Sequence, residues 1–180
     1  MNRFLLLCFI TSISSCTLDY SGSNLIQDLS EEIPNTVIYK YKTVEVQNGK
    51  PVLEIKADIA EVYNSKEVTY LKNVEFYNYK DKEVNNHGKS NSAILNMKSG
   101  DAQLSGAIVI ESIKDETYLE AETLNWIDDE KILSSSHDDS VLVRDSDGSS
   151  LQGKGFSADI KRKSILFEGR TEGVYTTDED

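Results

Sequence analysis

From residue 36 to residue 175, apolar side chains recur at every second position in short runs divided by turn-forming clusters. That period confines the chain to strands, since successive strand side chains point to opposite faces. The first run, Val37–Val46, is followed by Asn48-Gly49 and then by a second alternating run beginning at Pro51. An Asn-Gly pair between two such runs predicts a hairpin, because both central residues of a type I′ turn need φ > 0. Pro51 falls at the start of its strand, where a missing N–H costs little. Further strands are expected around Val68–Tyr79, Ser92–Met97, Leu104–Ile110, Tyr118–Trp126, Ser140–Arg144, Phe156–Ile160, Ser164–Phe167 and Glu172–Tyr175. Turns are expected at Asn85–Gly88, Ser99–Asp101, Asp128-Asp129 and Asp145–Gly148, with Lys80–Lys89 carried as a loop insertion. Only two prolines and an abundance of Tyr, Val, Ile and Thr agree with strands, and no four-turn amphipathic helix can be drawn. The fold class is all-β.

The pattern also repeats. Four segments each read as strand, short turn, strand, with Ala60, Leu95, Leu124 and Ala158 at equivalent places. The spacings are 35, 29 and 34 residues, and two residues further on stand Val62, Met97, Trp126 and Ile160. Periods of this size signal stacked supersecondary units, each a hairpin unable to bury its apolar face alone.

The N-terminus follows a different logic. Arg3, the apolar stretch Phe4–Ile10 and small residues running into Cys16 form the layout of a signal peptide over residues 1–15. Polar residues arrive too early for a membrane span, which needs about 20 apolar residues. The ending Ile13-Ser14-Ser15-Cys16 resembles a bacterial lipobox, which implies cleavage before Cys16 and lipidation of its thiol. Cys16 would then be the only cysteine, leaving no disulfide and no thiolate metal site. Residues 16–35 read as a polar tether able to reach roughly 60 Å when extended. A folded domain over 36–177 and an acidic tail, 178–180, complete the chain. The formal charge of −12, one unit more negative without Arg3, opposes contact with nucleic acid and with anionic membrane surfaces. The acyl group would do the attaching, and more than one chain is needed for a stable anchor.

Two stretches carry a family resemblance. Residues 53–81, LEIKADIAEVYNSKEVTYLKNVEFYNYKD, and 151–169, LQGKGFSADIKRKSILFEG, are similar to the opening and closing hairpins of the LptC family of lipopolysaccharide export. The likeness spans Pro51 to Glu168, about two-thirds of the chain. It implies an open β-jellyroll, two antiparallel sheets folded over an apolar trough. It further implies a periplasmic, non-catalytic carrier without cofactor, standing between an inner-membrane ABC transporter and an LptA-like β-jellyroll protein. Its cargo would be lipopolysaccharide or a related glycolipid. Family members typically carry an N-terminal membrane helix. Here a lipid on Cys16 takes that place, and the inner membrane is the expected address.

Every second residue of such a trough faces in. The expected lining is Ile55, Ala57, Val62, Val74, Phe76, Leu95, Met97, Ile108, Ile110, Leu119, Leu124, Trp126, Val143, Phe156, Ile160, Ile165 and Phe167, with Ala57 and Ala158 leaving room for an acyl chain. An apolar stripe is equally the mark of a packed core, so a surface lipoprotein of structural or adhesive role with a closed β-sandwich is the alternative. Unpaired edges would pair with partners. The first strand, with Val37 and Tyr39, and the last, Gly169–Thr177 with Glu172, Val174 and Tyr175, are the candidates. No Gly-rich phosphate loop precedes a helix, so energy must come from a partner. Asp145-x-Asp147-Gly148 has Phe156 where a calcium loop needs its twelfth-position Glu. His87 and His137 stand in polar surroundings without a triad, and are read as surface loop residues.

Overall fold

Asn48 and Gly49 both have positive φ (52° and 74°) and join β1 (Thr36–Gln47) to β2 (Lys50–Tyr63) as the dipeptide predicts. The computed structural model describes residues 33–176. The signal peptide, Cys16, most of the tether and the tail Asp178-Glu179-Asp180 lie outside the described residues. Strands β3 (Val68–Lys80), β4 (Glu83–Asn96), β5 (Ala102–Ser112) and β6 (Thr117–Ile127) continue as an antiparallel meander. Six shorter strands follow: β7 (Ile132–Ser134), β8 (Ser140–Asp145), β9 (Ser150–Lys154), β10 (Phe156–Asp159), β11 (Ser164–Phe167) and β12 (Thr171–Val174). Among the described residues the one helical element is a 3₁₀ turn, Asn64–Lys66.

The pairing of the short strands shows what they are. One half of β6 pairs with β7 and the other with β8; β7 pairs with β10, β8 with β9, β10 with β11 and β9 with β12. Each successive pair therefore acts as one long strand broken in the middle. The sheet is a meander of six unbroken strands followed by three broken ones.

The break continues through the unbroken strands as a crease. Along a flat strand the inward residues would be two apart. Here the inward residues flanking the crease are Ala57 and Ala60 in β2, Leu71 and Val74 in β3, and Ala121 and Leu124 in β6, three apart. In β5 they are Leu104 and Ile108, separated by a bulge at Gly106 and Ala107 (φ 79° and 46°). Bulges of this kind bend a strand and re-aim its side chains. Lys40 in β1 and Asn73 in β3 carry the same left-handed backbone (φ 53° each). The crease divides the sheet into layer A (β7, β10, β11 and the adjoining halves of β1–β6) and layer B (β8, β9, β12 and the other halves). Both layers contribute to one buried cluster, in which Ala60, Leu71, Ile108, Leu124, Val141 and Phe156 are at most 1% exposed. The expectation of an all-β, open β-jellyroll is borne out, and its two folded antiparallel sheets are the two halves of a single sheet bent on itself.

Asn85–Gly88 is not a turn, and Lys80–Lys89 is not a loop. The turn is the two-residue Asp81-Lys82, and Asn86–Lys89 pair with β3 on one side and β5 on the other. Gly88 has a packing reason to be there. A Cβ on it would stand 2.1 Å from Cζ of Phe76, whose ring lies across the strand. Gly88→Ala is expected to displace that ring at a cost of about 1–3 kcal/mol. A urea titration checks this, and Phe76→Leu in the same chain should recover part of the loss as a coupling between contacting sites. Strands β7 and β9 leave little trace in the sequence, because three residues give no period and because Gly153 interrupts β9.

Candidate functional site

Cross-strand pairing links inward residues into continuous rows. In layer B one row runs Thr43, Ile55, Phe76, Gly88, Ile110, Leu119, Val143, Leu151, Gly173. In layer A a row runs Thr36, Val62, Thr69, Leu95, Ala102, Trp126, Leu133, Ala158, Ile165. A second layer A row joins Ile38, Ala60, Leu71, Ala93, Leu104 and Leu124 beside the crease. Residues as far apart in the chain as Thr36 and Gly173 share one apolar face, because the meander places each strand beside its predecessor.

The rows place Ile55, Val62, Phe76, Leu95, Ile110, Leu119, Leu124, Trp126 and Val143 of the expected lining on this face, and the shared buried cluster adds Ala57, Val74, Ile108, Phe156 and Phe167. Three residues differ. Met97 (48% exposed) and Ile160 (56%) lie one residue past the ends of β4 and β10. The cause is the repeat alignment: Ala60 and Leu124 share one row, but Leu95 and Ala158 belong to the next. Their i+2 neighbours therefore fall beyond the strand ends. Ile165 pairs with Ala158 and faces in, yet is 58% exposed because β11 is an open edge. Ala57 and Ala158 are buried (6% and 7%), so they act as close-packing positions here rather than vacant space.

The two layers meet directly at the C-terminal end. A Cβ on Gly153 of β9 would stand 2.7 Å from Cδ1 of Phe167 in β11, and Phe167 packs edge-on against Phe156 at 5.5 Å. At the opposite end β1 is exposed along most of its length, with Val37 at 43% and Tyr39 at 72%. Strand β12 is exposed throughout, Val174 at 63%, Glu172 in the same strand, and Tyr175 just beyond it at 84%. Among the described residues β1 pairs only with β2, β11 only with β10 and β12 only with β9, so each leaves one edge without a strand.

The outer face is polar and cross-linked. Tyr77 stacks on His87 at 4.5 Å, Lys56 lies over the Tyr77 ring, and Arg144 lies over Tyr118. His87 is thus a strand residue of this face, whereas His137 is exposed and its Nδ1 faces Glu168. A shallow depression of about 410 Å³ beside Val109, Glu120 and Leu142 also belongs to the outer face. At the crease, Asp58 accepts from Lys40 Nζ (2.7 Å) and Asn73 Nδ2 (2.9 Å). The Lys40 ammonium, then Asn73, hold its carboxyl below the ordinary carboxylate range. A depressed folded-state pKa gives stability that is complete above the unfolded value and is lost as pH falls through the folded one. Asp58→Asn should therefore lower the melting temperature slightly at neutral pH and blunt its decline in acid. Thermal melts at neutral and strongly acidic pH check this.

A family description for lipopolysaccharide-assembly, LptC-related proteins matches residues 4–176. The chain belongs to the LptC-related family. The resemblance read from residues 53–81 and 151–169 is borne out by this match. The fold is similar to that of LptH, the LptA-homologous periplasmic component of the conserved lipopolysaccharide transport device from Pseudomonas aeruginosa. The TM-score is 0.55 at 15% identity, covering 69% of this chain and 95% of LptH. No curated protein sequence matches the chain. As an LptC-related protein it is a non-catalytic member of a lipopolysaccharide-assembly family.

Proposed function

We propose that this LptC-related protein is a passive carrier, whose two apolar layers shelter the acyl chains of an amphiphile crossing the periplasm. The observation that carries the reading is the continuity of the inner rows from β1 to β11 and β12. Each CH₂ removed from water contributes about 0.8 kcal/mol, so such a face offsets the cost of moving acyl chains through water. The inner residues are packed against one another at the centre and become exposed toward both ends, Ile38 at one and Ile165 at the other. Acyl chains would enter where the ends are open and part the layers about the crease.

In this reading a lipid on Cys16 fixes the chain to the inner membrane. The edge at β1 receives cargo from an ABC transporter, and the C-terminal edge pairs with an LptA-like protein by strand addition. Photo-reactive residues at Tyr39 and Val174 test the order of partners in cells. The expected result is a transporter adduct from Tyr39 and a periplasmic β-jellyroll adduct from Val174. Adducts from neither edge while export runs would remove the bridge from the proposal.

A further inference from the structure

The inner faces of the two layers end differently, and the difference bears on the cargo. The outermost inner row of layer A is mostly apolar, with Val62, Leu95, Trp126 and Leu133, and Thr36 and Thr69 are its two polar members. Its counterpart in layer B starts at Glu45 and Leu53, runs through Asn78, Asn86, Ser112 and Thr117, and ends at Asp145. This lip presents amides and hydroxyls on the side that faces inward. Among the described residues, the basic residues in phase with the inward positions are Lys40 at the crease, Lys80, the last of β3, directly opposite Glu83, and Lys50, which pairs with Gln47 two residues along β1 from Glu45. The turns just beyond the lip hold Lys82 and Lys114 among Asp81, Asp115, Glu116 and Asp147. Lys50 nearby is engaged by Asp81 at 3.6 Å.

Recognition of phosphate relies on charge-assisted hydrogen bonds from Arg or Lys, or on helix N-termini. The lip itself offers neither, the cations at its margin stand among carboxylates, and those carboxylates would repel an anion. Neutral amides and hydroxyls suit a hydroxyl-rich head, to which they both donate and accept. We infer that the head group held along layer B is an uncharged saccharide, so that the preferred cargo is a neutral glycolipid rather than a phosphorylated one. This rests on the carrier reading and narrows it.

The test is extraction of lipid by the full chain from vesicles containing digalactosyl diacylglycerol and bis-phosphorylated lipid A in equal amounts, with chelator present. The expected result is at least a tenfold preference for the galactolipid. Asn86→Lys, and Asn78→Lys at the exposed end of the lip, should each narrow that preference at least threefold by supplying a cation. Equal or better extraction of the phosphorylated lipid overturns the inference and leaves the carrier reading standing. So does a preference that neither lysine moves. Extraction of neither lipid overturns the carrier reading itself, and the inference with it.

Discussion

Phe156→Ala is expected to destabilise the domain by about 3–5 kcal/mol, the cost of deleting a fully buried aromatic side chain. That is a large share of the roughly 5–15 kcal/mol that holds an ordinary domain together. Phe156 is 1% exposed and begins β10 directly after Gly155, whose φ of 63° turns the chain from layer B into layer A. Its N–H donates to Ser135 Oγ (3.0 Å), its carbonyl accepts from the Ser135 N–H (2.9 Å), and its ring meets Phe167. Truncation opens a cavity where both layers and the last broken strand converge. Denaturant unfolding monitored by Trp126 fluorescence measures the loss. A change below 1 kcal/mol would mean that the layers are not held together at this point.

The second large effect is on transport. Ile55→Asp places a carboxylate in the inner row of layer B, at a half-buried position one strand from the open β1 edge. Without cargo the charge remains in contact with water. With acyl chains between the layers it must be desolvated without a partner, a cost of several kcal/mol. Lipid transfer to a downstream acceptor is expected to fall at least tenfold, while the unfolding midpoint moves little. Lys56→Asp, one residue along and on the outer face, should leave transfer near its normal rate. Equal loss in both variants would point to a general fold defect rather than to a blocked path.

Much of this architecture is legible in the chain. The Asn48-Gly49 turn, the period-2 runs and the absence of a long amphipathic helix set the class, and the 53–81 and 151–169 hairpins carry the family. The crease is not legible. It is a slip in the phase of alternation, Ala57 to Ala60 and Leu71 to Val74, and a slip of one residue reads in sequence as noise within a strand. The polar Asn85–Gly88 stretch mimics a turn because its strand character comes from β3 and β5 on either side. Met97 and Ile160 are misplaced by an alignment of repeats that keeps the face correct but shifts the row. The inner residues Ile38, Leu71, Ala93, Leu104, Leu133 and Leu151 stand out only once the cross-strand register is known.

The carrier reading depends on the two sides of each strand behaving differently. Photo-crosslinking in living cells tests this with paired probes, Ile110 against Val109 in β5 and Trp126 against Asn125 in β6. Each pair differs by one residue, which reverses the face while leaving position in the molecule almost unchanged. Lipid-mass adducts at Ile110 and Trp126, with none at Val109 and Asn125, are the predicted result. Adducts on both faces, or none at the inner probes while cargo export runs in the same cells, would contradict a lipid path between the layers.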